Sequence, residues 1–105
     1  MKIYKVIFSE LAKTDLQNIV NFIIQKDGYS SAKHVERGIL SKAKTLSRFP
    51  EGYPKDQYAS TEIQIVRFAM KWKYKILFVF ENNVVQVVRI FHTAQNPEKL
   101  KSLTI

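Results

Sequence analysis

The sequence predicts an α+β fold in the order β-α-α-β-β-β, an N-terminal strand joined to an antiparallel sheet with a helical hairpin packed on one face. Three observations predict it. Apolar residues recur at helical spacing between Ser9 and Leu46, the period changes to two from Ile63 onward, and Pro50, Gly52 and Pro54 interrupt regular structure between the two halves. At 105 residues the chain suits a single compact domain, residues 1–105, with no room for a second core.

Lys2 to Phe8 sets Ile3, Lys5 and Ile7 against Tyr4, Val6 and Phe8, a strand apolar enough on both sides to sit inside the sheet. Ser9 is a helix N-cap and Glu10 suits the positive end of the helix dipole. Ala12, Leu16, Ile19, Val20 and Ile23 then form one apolar stripe that stops at Gly28. A second cap at Ser30 or Ser31 opens another helix, with Ala32, Val35, Ile39, Ala43 and Leu46 on one face before Pro50 ends it. So short a turn between them predicts an antiparallel hairpin.

Ile63 to Met70, Tyr74 to Glu81 and Val84 to Thr93 are rich in β-branched and aromatic residues and read as three strands. Asn82-Asn83 suits a two-residue turn with positive φ angles. Counting back from it sets Phe80 opposite Val85, Phe78 opposite Val87, Ile76 opposite Arg89 and Tyr74 opposite Phe91. That face is aromatic. The other carries Lys75, Leu77, Val79, Gln86, Val88, Ile90 and His92. The hairpin covers one face, so the second is expected to be an exposed apolar surface in need of a partner.

Composition narrows the chemistry. With no cysteine there are no disulfides, thiolate metal sites or cysteine nucleophiles, and two histidines without clustered carboxylates give no metal site; no cofactor is expected. The sequence also lacks a nucleophile elbow and a phosphate-binding glycine loop. MKIYKVIF shows no signal-peptide pattern, and the longest apolar run, Ile76 to Phe80, is too short to span a bilayer, so the expectation is a cytoplasmic protein with no membrane partner. Seventeen basic against nine acidic side chains give a formal charge of +8, which attracts polyanions or an acidic protein.

YKVIFSELAKTDLQNIVNFI, the Gly28 turn, LSRFPEGYP, the Arg67 to Phe80 segment ending in YKILFVF, and VVQVVRIFHTAQNP occur in the order seen in the RelE/ParE superfamily. Over nearly its whole length the chain resembles a toxin of a type II toxin-antitoxin system, closer to the ParE-like branch. The resemblance implies a cognate antitoxin whose segment covers the toxin's apolar and basic surfaces, growth arrest when the toxin is free, and a part in plasmid stabilisation. It further implies one of two targets: DNA gyrase, the preferred reading here, or translated mRNA on the ribosome, cleaved without a metal. The state in solution is left open between a homodimer and a toxin-antitoxin hetero-oligomer.

For the nuclease alternative, the resemblance nominates Arg67, Lys75 and His92 as catalytic residues, in keeping with the need for proton transfer and for cations around the transition state. Two departures favour the ParE-like side: the late arginine of the nuclease branch falls at Ala94 or Gln95, and its C-terminal tyrosine near Leu100. Target or antitoxin binding is assigned to Lys71, Trp72, Lys73, Leu77, Val79, Val88 and Ile90. Plainer roles stand beside these. His92 is then a surface histidine, Arg67 pairs with Glu62 or Glu81, Arg89 pairs with a helix carboxylate, and Trp72 docks on its own domain. A four-residue loop at Met70 to Lys73 puts Arg67 on the face of Ile76, and a three- or five-residue loop puts it beside Lys75; only the second gathers the three nuclease candidates. A non-toxic RNA-binding module, or a relative that serves only to bind an antitoxin, are the remaining alternatives.

Overall fold

A computed structural model of the chain describes residues 2–94. Gln95, Leu100 and the 99–105 tail lie outside the described residues. The elements are β1 (Lys5–Phe8), α1 (Glu10–Asp27), α2 (Tyr29–Thr45), a 3-10 turn (Pro50–Gly52), β2 (Arg67–Lys71), β3 (Tyr74–Glu81) and β4 (Val84–His92). They build one four-stranded sheet in the order β1-β4-β3-β2, parallel between β1 and β4 and antiparallel elsewhere.

Ser9 caps α1 by accepting from the Ala12 amide at 3.1 Å, and its hydroxyl donates to the Val88 carbonyl at 3.0 Å, which ties the helix start to β4. The stripe Ala12, Leu16, Val20 and Ile23 is buried against the sheet, as its spacing predicts. Gly28 alone links the helices. At φ 95° its amide donates to the Ile23 and Ile24 carbonyls while its own carbonyl accepts from Ala32, so α2 begins at Tyr29 and the expected caps Ser30 and Ser31 fall inside its first turn. Ala32, Ile39, Ala43 and Leu46 meet Ile76, Phe78, Val85, Val87 and Ile90 in the main core. Each of the larger side chains buried there contributes about 1.5–3 kcal/mol.

Two expectations about the sheet are corrected. Among the described residues β1 lies at an edge and pairs only with β4, and Ile3 is 68% and Ile7 36% exposed; the apolar content on both sides of this strand does not come from an interior position. The second sheet face is also not bare. Residues 53–66 cross it, and Ala59 and Val66 close over Leu77, Val79 and Val88 in a second small core, with Tyr58, Phe68 and Phe91 at its margin.

The Asn82-Asn83 turn has both residues at positive φ and sets Phe80 opposite Val85 and Phe78 opposite Val87, as expected. Beyond Phe78 the register slips by one, because Val88 is an extra residue in β4. Ile76 therefore faces Ile90 and Tyr74 faces His92, in place of the expected Arg89 and Phe91. The slip moves Ile90 and His92 away from the face of Lys75: Ile90 enters the main core and His92 packs edge-on against Tyr74 at 5.3 Å.

Candidate partner-binding site

The nuclease candidates do not converge. Arg67 pairs with Phe78 across β2 and β3, which places it on the helix-covered face, and its Nη1 donates to the Tyr53 carbonyl at 2.7 Å. The turn responsible has only two residues, Trp72 and Lys73, between the paired Lys71 and Tyr74. Lys75 is on the opposite face, its Nζ 2.8 Å from Asp56 Oδ2 and stacked over Phe68 at 4.4 Å. His92 lies at the far end of β4 with Nδ1 accepting from the Ala94 amide at 2.9 Å. Three groups that a single phosphodiester would have to touch are thus held apart by the sheet and by separate structural contacts.

Asp56 is the residue that sequence reasoning missed. It is 2% exposed, accepts from the Tyr58 and Ala59 amides through Oδ1, and receives Lys75 on Oδ2. The readable signal was an aspartate at the start of an irregular segment, where a carboxylate caps the amides two and three residues on. Arg89 was read correctly as the partner of a helix carboxylate: Nε and Nη2 reach Asp15 at 2.7 and 2.9 Å, and Asp15 also accepts from the Ile90 amide at 2.9 Å. The hydrogen bond to Asp15, opposed by burial, holds the guanidinium above its ordinary pKa.

The assigned binding residues divide. Leu77, Val79 and Val88 are buried under the 53–66 segment and Ile90 under the helices, so none of them offers a surface. Lys71, Trp72 and Lys73 do, at the tip of the β2-β3 hairpin. Trp72 docks its ring edge on α2 and remains 49% exposed.

A groove suited to a polypeptide lies elsewhere, along the open edge of β1. Val6, Ile7 and Phe8 form its floor, Leu16 and Leu40 rise from α1 and α2, and Lys13, Gln17 and Glu36 stand around them. Lys33 pairs with Glu36 at 3.0 Å, which raises the lysine's pKa. Ile3 and Ile7 are exposed. The outer edge of β1 pairs with no strand among the described residues. Main-chain donors and acceptors beside apolar pockets are what an added strand or amphipathic segment needs.

Comparison with known proteins agrees with this architecture. The family model described as "ParE toxin of type II toxin-antitoxin system, parDE" matches residues 6–97. Among solved structures, a chain of the chromosomal ParDE system from P. aeruginosa superposes with a TM-score of 0.71 at 17% identity, covering 86% of this chain and 96% of that one. A chain of the RelBE2 toxin-antitoxin complex from Mycobacterium tuberculosis gives 0.66 at 21%, covering 90% and 97%. One of the archaeal RelE-RelB complex from Pyrococcus horikoshii OT3 gives 0.59 at 14%, covering 90% and 99%. No curated protein matches the sequence.

Proposed function

The chain belongs to the ParE toxin family of type II toxin-antitoxin systems, and from that premise we propose that it arrests growth by inhibiting DNA gyrase and is silenced by a cognate antitoxin segment seated along β1. The observation that carries the second half is the β1 edge, which pairs with no further strand among the described residues and lies beside an apolar groove walled by both helices. A segment that adds a strand there and drops apolar side chains beside Leu16 and Leu40 gains main-chain hydrogen bonds and burial together. Acidic residues in it gain from the chain's +8 charge.

Gyrase is favoured over mRNA by the dispersal of Arg67, Lys75 and His92. Arg67 is engaged with the Tyr53 carbonyl and Lys75 with Asp56, so bringing them to one phosphate requires breaking both contacts. The test is a supercoiling reaction with purified gyrase and this chain, run beside cell-free translation of a defined message with RNA 5′ ends mapped. Loss of supercoiling with intact message is the expected result. New 5′ ends on translated message, with supercoiling unaffected, would overturn the gyrase reading.

A further inference from the structure

We propose that the tip of the β2-β3 hairpin, centred on Trp72, is a binding site for unpaired nucleotides, with the indole stacking on a base while Lys71 and Lys73 hold the flanking phosphates. The inference is independent of the antitoxin groove and goes beyond the target named above.

Trp72 sits at φ 52°, a conformation that two-residue turns normally fill with glycine or asparagine, as the Asn82-Asn83 turn of the same sheet does. A bulky aromatic is therefore held where local preference opposes it. α2 makes room for the ring: a β-carbon at Gly38 would lie 2.2 Å from Trp72 Cη2 and 2.4 Å from Cζ3, so a glycine is required beneath it. Gly38 meets the ring at Cη2 and Cζ3, and the residue stays 49% exposed. An indole serving core packing alone would not need to stand half in water. The rigid seat also lowers the entropy cost of stacking.

The surroundings are cationic. Residues 63–80 contain no carboxylate and carry Arg67, Lys71, Lys73 and Lys75. Two of these are committed elsewhere, to the Tyr53 carbonyl and to Asp56, while the Lys71 ammonium lies 4.4 Å from the Trp72 ring centroid and Lys73 is exposed beside it. On α2, exposed His34 is 5.2 Å from the indole and exposed Arg37 lies three residues further along the helix. Glu36, the acid nearest in sequence, is paired with Lys33. An exposed aromatic framed by basic side chains that form no ion pair among the described residues matches the chemistry of single-stranded nucleic acid, whose bases offer a stacking face and whose phosphates offer charge.

Trp72 is the only tryptophan, so its fluorescence reports on the site directly. The intact chain is titrated at low salt with a twelve-nucleotide oligo-dT, with oligo-rU, and with polyglutamate of equal charge, and affinity is measured separately by anisotropy of labelled strands. Saturable quenching by the oligonucleotides is expected, with little by polyglutamate. W72A should weaken binding between about fivefold and about 150-fold, the span of one lost base stack, and W72F should recover most of it. Replacing Lys71 and Lys73 with serine should flatten the slope of log affinity against log salt by about 1.4. A preference for oligo-rU or for oligo-dT would name RNA or DNA as the source. Unchanged affinity of both tryptophan variants, absence of binding, or equal quenching by polyglutamate would overturn the proposal.

Discussion

Asp15→Ala is the substitution from which most can be learned about how the hairpin is fixed to the sheet. Asp15 accepts two hydrogen bonds from Arg89, at 2.7 and 2.9 Å, and a third from the Ile90 amide at 2.9 Å, two residues after the extra residue of β4. Removing one partner of a partly buried charge costs up to about 3–5 kcal/mol, and an orphaned amide about 1–3 kcal/mol. Both side chains keep some water contact, 18% for Arg89 and 14% for Asp15, so the lower ends apply and the total is about 4 kcal/mol. Against a total stability of about 5–15 kcal/mol for a domain, this is a large share. The assay is urea unfolding followed by circular dichroism, repeated for Asp15→Asn, Arg89→Met and the double variant. Asp15→Asn keeps an oxygen for the Ile90 amide and should lose about half as much. A loss below about 1 kcal/mol for Asp15→Ala, or equal losses for alanine and asparagine, would refute the assignment of this carboxylate as a joint between helix and strand.

Asp56→Ala leaves Lys75 without its carboxylate and two amides uncapped, so a loss of about 2–4 kcal/mol is expected, with faster hydrogen exchange across 56–66 as the local readout. Burial raises the Tyr74 phenol above its ordinary pKa of 10.0; the contribution is intact below that value and lost as pH rises through the shifted one. Alkaline titration followed at the phenolate absorbance should show one late-ionising tyrosine that disappears in Tyr74→Phe. Leu40→Glu places a charge in the groove beside β1 without touching the core, and should weaken antitoxin binding at least about tenfold, measured by calorimetry, while gyrase inhibition is unchanged. Gly38→Ala must displace the indole, and a shift in Trp72 emission with retained secondary structure is the expected result.

The local elements were legible because each is written within a few residues: the Ser9 cap, the apolar stripe of α1, the Gly28 stop and the Asn82-Asn83 turn all stand where their chemistry puts them. What escaped depends on residues distant in sequence. Around the extra residue Val88, Ser9 donates to the Val88 carbonyl and Asp15 accepts from the Ile90 amide, and no pattern within VVQVVRIF announces that. Its effect on the site was large, since it removed His92 and Ile90 from the face of Lys75. The covering of that face by 53–66 was hidden for a similar reason. The segment has no period of its own, and one of its ties to the sheet is a carboxylate meeting a lysine 19 positions away.

The parallel pairing of β1 with β4 also bears on how the protein is made. Lys5 pairs with Val84, so the first strand waits while the chain lengthens by 79 residues (84 − 5), roughly 4–16 s at about 5–20 residues per second. Until then Val6 and Phe8 have no sheet to join, whereas the two helices, linked by Gly28, meet through local contacts. A nascent toxin is therefore incomplete at the strand its antitoxin is proposed to use, and on that proposal the strand would be open to an antitoxin before the chain has closed upon itself. Pulsed proteolysis of ribosome-bound chains stalled before and after β4 would time that interval, with protection of β1 expected only in the longer chain.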